Sequence, residues 1–340
     1  MQGIDTARVS SWLDANIEGL SPPYDFALIA GGRSNLTYAV TDGGGQRFVV
    51  RRPPLAQVLA TAHDMTREHR IVSAVGRTNV PVPRTLGLCT DVAVTGAPFY
   101  VMSFVDGVVL DAPERADVLP LALRPRASKH LVDVLADLHS VDVDEVGLGD
   151  LAKREGYVER QVKRWSQQWE QSKTRELAAI DEVAKRLRDH LPTQQGVAIA
   201  HGDFRFGNCL IDVDAGKINA VLDWELCTLG DPLADLGYLG VYWNDGNPLT
   251  ARSNDPTPAG GFMSYADLVE RYALRTGRDV SGIGYYIAFG CWRLAVISEG
   301  VYSRYVHGAM GDAGDFDAAA ANDATESLAQ RASEAIQQWA

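Results

Sequence analysis

Three oxygen-bearing side chains stand at spacings that suit phosphoryl chemistry. Asp203 lies in the run His201-Gly202-Asp203-Phe204-Arg205-Phe206-Gly207-Asn208, so Asn208 follows it by five residues. Asp223 opens Asp223-Trp224-Glu225 after two short strand-like runs, Cys209 to Val213 and Ile218 to Leu222, which flank the turn Asp214-Ala215-Gly216. The Asp203 carboxylate is spaced to accept a proton from an attacking hydroxyl. Asn208 and Asp223 offer the oxygen ligands that Mg²⁺ requires. Phosphoryl transfer needs in-line positioning and charge neutralisation more than covalent help. Taken singly, His-Gly-Asp also reads as a turn and Asp-Trp as a cap. Their placement on both sides of one hairpin points to a site.

The same residues carry a family resemblance. His201 to Asn208 resembles the catalytic loop of aminoglycoside phosphotransferases and choline kinase relatives, which share the protein-kinase-like fold. Asp223-Trp224-Glu225 stands where protein kinases carry Asp-Phe-Gly. The resemblance runs from about Ala30 to about Tyr305. Pro81-Val82-Pro83, Pro98-Phe99-Tyr100-Val101-Met102, Leu135-Ala136-Asp137-Leu138-His139 and Gly230-Asp231-Pro232-Leu233-Ala234-Asp235-Leu236 are similar to the kinase-like domain fused to some acyl-CoA dehydrogenases. The resemblance implies Asp203 as catalytic base, Asn208 and Asp223 as holders of Mg²⁺ on the ATP phosphates, and His201 as a support of the loop. It adds Glu225 to the metal or substrate shell. Asp231 and Asp235 either brace the catalytic loop, as the family's Asp does, or cap the helix that Pro232 begins.

Nucleotide contacts are expected earlier in the chain. Gly31-Gly32-Arg33-Ser34-Asn35 lies between two strand-like runs. It is neither a dinucleotide fingerprint nor a Gly-Lys-Ser/Thr loop. Kinase-like folds place such a glycine turn over the phosphates, where backbone N–H groups bind anions; Ser34 and Asn35 add side-chain donors. Protein kinases carry a Lys on the third strand, and this chain has Arg51-Arg52. Arg keeps the charge and binds phosphate in a fork. Arg51 continues the strand and is the clamp candidate, with Glu68 on the next helix as its partner. Ser103 and Val105, in Met102 to Gly107, stand at the hinge, where their backbone groups meet adenine. Tyr238, Tyr242, Trp243, Trp292, Arg293, Glu299 and Tyr302 are candidates for an acceptor pocket; a Trp or Tyr at helical spacing is more often core than pocket, whereas Arg293 interrupts an uncharged stretch and wants a partner or a ligand.

The elements that must position these groups follow from periodicity. Thr6 to Ile17 reads as an amphipathic helix. Phe26 to Ala30, Leu36 to Thr41 and Phe48 to Arg51 read as an antiparallel meander joined by glycine turns. A helix over His63 to Val75 and strands at Thr85 to Cys89 and Phe99 to Phe104 complete a five-stranded lobe. Helical spacing then dominates: Ala127 to Leu138, the polar segment Tyr157 to Leu191, Pro232 to Trp243, Tyr265 to Thr276, Tyr285 to Tyr305 and Thr325 to Trp339. Ala313 to Ala324 is low in complexity and reads as a linker. The expected fold is α+β and bilobal, of protein-kinase-like type. A small lobe, 1–105, carries a five-stranded antiparallel sheet and a helix and binds nucleotide. A larger helical lobe, 106–340, holds the catalytic and acceptor-binding groups.

Composition narrows the partners. The 340 residues carry a net charge of −12. Residues 1–105 hold nine Lys+Arg against eight Asp+Glu, and the remainder 23 against 36, a net of −13. Such acidity disfavours nucleic acid. Val280 to Trp292 is only 13 residues before Arg293, too short to span a bilayer. The start of the chain lacks a signal-peptide pattern. Cys89, Cys209, Cys227 and Cys291 are scattered, with no zinc-type spacing, which fits a reducing cytoplasm. No Ala-Pro-Glu-type segment follows Asp223, which disfavours a protein substrate. The expected activity is transfer of the ATP γ-phosphate to a small-molecule hydroxyl. The acceptor is a hydroxyacyl-CoA or related anion, or an aminoglycoside-like or choline-like cation. The alternative is a nucleotide-binding regulatory or scaffold protein without catalysis; retention of Asp203, Asn208 and Asp223 together argues against it.

Overall fold

The structure, a computed structural model, describes residues 1–30, 35–55, 63–244, 255–307 and 317–339. In the smaller lobe, β1 (Asp25–Ala30), β2 (Leu36–Thr41), β3 (Arg47–Arg52), β4 (Thr85–Cys89) and β5 (Phe99–Ser103) form one antiparallel sheet. Its strand order is β1-β2-β3-β5-β4. The pleat of β3 divides its side chains between two layers. Phe48 and Val50 pack with Val9 and Leu13 of α1 (Thr6–Asn16) on the outer face. Val49 turns inward with Met65, Tyr100 and Met102. Arg52 follows the outer face: it is buried and donates to the carbonyls of Gly3 and Thr95. Arg51 therefore points to the inner face, as the strand register requires. The one-turn α3 (Val92–Thr95) sits in the β4–β5 connection.

The helix α2 (Met65–Val75) starts two residues later than its periodicity predicts, because Asp64 caps it through the Arg67 N–H at 3.0 Å. It carries Glu68 in its first turn, where a carboxylate suits the helix dipole. Farther along, Ile71, Val72 and Val75 join the core of the larger lobe beside Leu131 and Leu135. The lobes thus share buried apolar surface. They are also stitched by backbone: the Val221 N–H donates to the Pro81 carbonyl at 2.8 Å.

The larger lobe is built from α4 (Arg124–His139), α5 (Tyr157–Ser172), α6 (Ala178–Asp189), α7 (Leu233–Tyr242), α8 (Tyr265–Thr276), α9 (Ile283–Val306) and α10 (Ala318–Trp339). The polar segment after Tyr157 is two helices, α5 and α6. Two small antiparallel pairs flank the candidate site residues: β6 (Ala198–Ala200) with β9 (Thr228–Gly230), and β7 (Cys209–Asp212) with β8 (Lys217–Val221). The β6–β9 pair was not foreseen, since three-residue strands leave no periodic trace. The expected linker is corrected over 318–324. There α10 already runs, with the Asp317 carboxylate accepting from the Ala320 N–H at 3.0 Å; alanine is the best helix former. Residues 313–316 lie outside the described set. No helix among the described residues is long and apolar enough to cross a membrane.

Every residue of α7 is buried, so α7 is the central helix rather than an amphipathic one. It packs on α9 at Gly237, where an added Cβ would sit 2.5 Å from Tyr286 Cβ and 2.6 Å from its backbone carbon. Backbone cannot rotate away as a side-chain end can. Gly237→Ala is therefore expected to lower stability by about 1–3 kcal/mol, read from chemical denaturation at unchanged m-value; an unchanged midpoint would mean that α7 and α9 part freely.

Candidate active site

The loop after β6 is held by a buried carboxylate. Asp235 on α7 accepts from the N–H groups of His201 at 2.6 Å and Gly202 at 2.9 Å, and lies 3.3 Å from His139 Nε2. Burial alone would raise its pKa; the hydrogen bonds from His139 and the loop amides outweigh that and hold it below the usual range. The two roles open for Asp231 and Asp235 are thereby divided. Asp231 caps α7 through the Leu233 N–H at 3.0 Å and accepts the Tyr286 hydroxyl at 2.7 Å. Asp235 braces the loop. Gly202 has φ +87°, and a Cβ there would lie 2.9 Å from Leu226 Cβ, so only glycine fits. Arg293 braces from the other side. It donates to the Gly202 carbonyl at 2.8 Å, with its guanidinium carbon 4.1 Å from the Tyr238 ring centre. His201 supports the turn, with Nε2 2.9 Å from the Leu222 carbonyl.

Both oxygens of Asp203 are oriented. Asn208 Nδ2 donates to Oδ2 at 2.7 Å and to the Asp203 carbonyl at 2.8 Å. Arg205 Nε lies 3.2 Å from Oδ1. The amide protons of Asn208 being used, its Oδ1 is the side-chain atom left to meet a cation. Arg205 also stacks on Tyr242 at 4.9 Å. Sequence reasoning missed it; the available signal was a cation two residues after Asp203.

Asp223 stands at φ +61°, the one non-glycine residue with positive φ among those described. Strain of this kind persists only where neighbours impose it; here the Leu222 N–H is tied to the Asn208 carbonyl at 2.8 Å. Across the cleft, Arg51 uses all three nitrogens. Nη2 donates to Asp223 Oδ1 at 2.8 Å, Nη1 to Thr37 Oγ1 at 3.2 Å, and Nε lies 2.9 Å from Glu68 Oε1 as an ion pair outside hydrogen-bond alignment. Burial works against the Arg51 charge, and Glu68, Tyr100 and Asp223 more than restore it. Glu68, raised by burial, also accepts the Tyr100 hydroxyl at 3.1 Å.

The expected nucleotide-binding residues are placed unevenly. Gly31, Gly32 and Ser34 lie outside the described residues. Asn35 is fully buried, and its Nδ2 is committed to Glu225 at 3.3 Å and Glu68 at 3.5 Å, so it tethers acids instead of offering donors to phosphate. Arg51, Glu68, Ser103, Val105 and Asp223 line one cavity of about 290 Å³ between the lobes. The Ser103 N–H already donates to the Arg84 carbonyl at 2.8 Å; a purine contact at this residue cannot use it. Glu225 is pushed up to about 7, first by burial and then by Asp223. Its Oε2 lies 3.3 Å from His63 Nδ1.

The donor set fits Mg²⁺. It is all oxygen: Asn208 Oδ1, the one-third exposed Asp223 carboxylate and nearby Glu225. No group of three His, Cys, Asp or Glu among the described residues could hold a metal ion. The acceptor candidates divide. Tyr238, Tyr242 and Arg293 surround the loop, and Trp243 stacks on Phe206 with ring centres 5.5 Å apart. Trp292 and Glu299 are structural: the indole donates to the Ile180 carbonyl at 3.1 Å, and Glu299 accepts from the Thr174 N–H at 3.0 Å. A larger hollow of about 870 Å³ between α8, α9 and α10 has Trp243 in its wall and includes no residue of the 201–208 loop in its lining.

Removing Asp235 orphans two loop amides, each worth about 1–3 kcal/mol. Asp235→Ala is expected to speed hydrogen exchange at His201 and Gly202, whereas Asp231→Ala leaves those amides protected. Equal protection in both variants would deny Asp235 the bracing role.

A model of the "Phosphotransferase enzyme family" matches residues 25–266. Acyl-CoA dehydrogenase family member 10 of Mus musculus is 34% identical over 315 residues, covering 91% of this chain and 29% of that protein. Family member 11 of Gallus gallus is 33% identical over 290 residues, covering 82% and 36%. The chain therefore spans well under half the length of these relatives. Among solved structures, a Ralstonia eutropha protein described as an aminoglycoside phosphotransferase is 32% identical, with TM-score 0.83 over 98% of this chain and 99% of that one. An aminoglycoside phosphotransferase in ternary complex with AMP-PNP and hygromycin B is 17% identical, with TM-score 0.60 over 95% and 98%. A choline kinase of Cryptosporidium parvum is 13% identical, with TM-score 0.66 over 98% and 97%. The last two share the fold. With most of its length matched by the family model and a relative at 34% identity, this chain belongs to the phosphotransferase enzyme family.

Proposed function

We propose that this protein transfers the γ-phosphate of ATP, with Mg²⁺, to the hydroxyl of a small anionic molecule of the hydroxy-acid or hydroxyacyl-thioester class. The observation that carries this reading is the arrangement of Asp203, Asn208 and Asp223 along one cleft, with Arg51 entering from the opposite lobe. Residues 1–105 bind nucleotide and 106–340 supply catalysis and acceptor contacts. ATP use is supported by the AMP-PNP complex of a protein with this fold. The four buried free cysteines suit a reducing cytoplasm. A non-catalytic regulatory or scaffold role is the weaker reading, because it gives no reason to keep a charged Asp203 oriented through both oxygens.

The roles follow from the contacts. Asn208 and Asp223 would hold Mg²⁺, which supplies neutralisation of phosphate charge. Arg51 binds phosphate oxygens through its fork. Asp203, fixed by Arg205 and Asn208, takes the proton as the acceptor oxygen bonds to phosphorus, and the bond to the ADP oxygen breaks. The choice of an anionic acceptor rests on two observations. Arg205 pairs with Asp203, and Arg293 feels the Asp203 charge, a poor setting for a polycationic aminoglycoside or for choline. The relatives are named for acyl-CoA chemistry.

Two outcomes test this. Asp203→Asn keeps shape and removes the proton acceptor; it should bind AMP-PNP normally and lose about 10²–10⁴-fold in turnover on the best hydroxyacyl acceptor, read by product mass. Equal turnover would remove Asp203 from the base role, and tight nucleotide binding with no acceptor in a broad alcohol panel would favour the scaffold reading. The second is a proton count. With its carboxyl at about 7, Glu225 is partly protonated near neutrality, and cations bound beside it lower that value. Binding of Mg²⁺–AMP-PNP should release protons near pH 7, and the release should fade above about pH 8. Calorimetry in buffers of different ionisation heat reads the release, and Glu225→Gln should abolish it.

A further inference from the structure

We infer that Arg51 gates the metal: without nucleotide it occupies Asp223, and phosphate must draw it away before a divalent cation can bind. The inference rests on the proposed role of Arg51 as phosphate clamp and goes beyond it.

The argument begins with what three nitrogens allow. The guanidinium reaches Glu68 on α2, Thr37 on β2 and Asp223 after β8 at once, at 2.9, 3.2 and 2.8 Å. A lysine has one nitrogen and cannot hold these three positions together. Residues 1–105 contain no lysine at all, so no ammonium in this lobe shares the task. The contact to Asp223 is the one that crosses between the lobes. It is short, with the Arg51 side chain 13% and the Asp223 side chain 33% exposed.

The charge balance gives the gate its direction. Around Arg51 stand three carboxylates, Glu68, Asp223 and Glu225. With Arg51 on Asp223, the proposed metal ligand is already neutralised, and a cation arriving alone would have to displace the guanidinium from Asp223, leaving it Glu68 and Thr37 but nothing in place of the carboxylate it loses. Nucleotide phosphates change this. Nη1 and Nη2 can turn to phosphate oxygens while Nε keeps Glu68, and the Asp223 carboxylate is released at the moment phosphate oxygens also become available to the metal. Metal and nucleotide then favour each other, and by linkage the factor is the same in both directions.

The experiment uses Mn²⁺ as a paramagnetic probe of the divalent site, and AMP-PNP as nucleotide, on the full chain. Free Mn²⁺ is read by electron paramagnetic resonance, and nucleotide affinity by calorimetry. Wild type should bind Mn²⁺ weakly alone and about 10–100-fold more tightly with saturating AMP-PNP, within the usual span of coupling factors. Arg51→Met should bind Mn²⁺ alone more tightly than wild type does, and its coupling factor should fall toward one. Arg51→Lys keeps the charge and should fall between; if Arg51→Met does not fold, this variant decides by the same criterion. Two results would overturn the gate, and they are distinguishable. If the variants weaken AMP-PNP but Mn²⁺ alone binds them no better than wild type, the clamp stands and the gate fails. If AMP-PNP affinity is unchanged in both, the clamp itself is wrong and the gate falls with it.

Discussion

One buried carboxylate organises the catalytic loop. Asp235 sits on the central helix α7, with no exposed face of its own, and takes two consecutive backbone N–H groups of the loop. A short loop in an irregular conformation cannot satisfy its own amides. Asp235 supplies the missing acceptor, and Arg293 on α9 supplies the donor that the Gly202 carbonyl needs. The position of Asp203 is thus set by two helices packed at Gly237, so the accuracy of the chemistry depends on helix packing some distance from it. The hydrogen bonds to Asp235 must also offset the desolvation of a carboxylate, which is why His139 is drawn in as a third partner.

The opposite wall of the cleft is organised by excess negative charge. Glu68, Asp223 and Glu225 converge on one guanidinium, and Glu225 is raised to about 7, first by burial and then by the Asp223 charge. Asn35 spans two of the carboxylates with one amide, which ties the start of β2 to the loop after β8.

The lobes are less separate than a bilobal description suggests. Half of α2 packs into the large core while its first turn presents Glu68 to Arg51. Movement of α2 therefore changes both interlobe packing and the clamp. The Pro81–Val221 backbone pair restrains the same boundary.

The sequence by itself determined the sheet and most helices. Strands of period two, helices of period 3.6 and glycine turns are local signals, and Asp203, Asn208 and Asp223 lie within one hairpin-spanning stretch. Facing on β3 was also legible, since the pleat alternates and Arg51 and Arg52 must point apart. The tertiary structure decided what depends on distant partners. It divided Asp231 from Asp235, a choice between cap and brace that turns on where the loop amides lie. It moved Asn35 from phosphate donor to buried tether, because Glu68 and Glu225 arrive from residues 33 and 190 positions away. It sorted Tyr238 and Arg293 from Trp292 and Glu299, all apolar-helix residues of similar pattern. It also revealed Arg205, whose meaning comes from Asp203 and the Tyr242 ring. Periodicity reports which face of an element is buried; it carries no information about which charged group from elsewhere in the chain will meet that face.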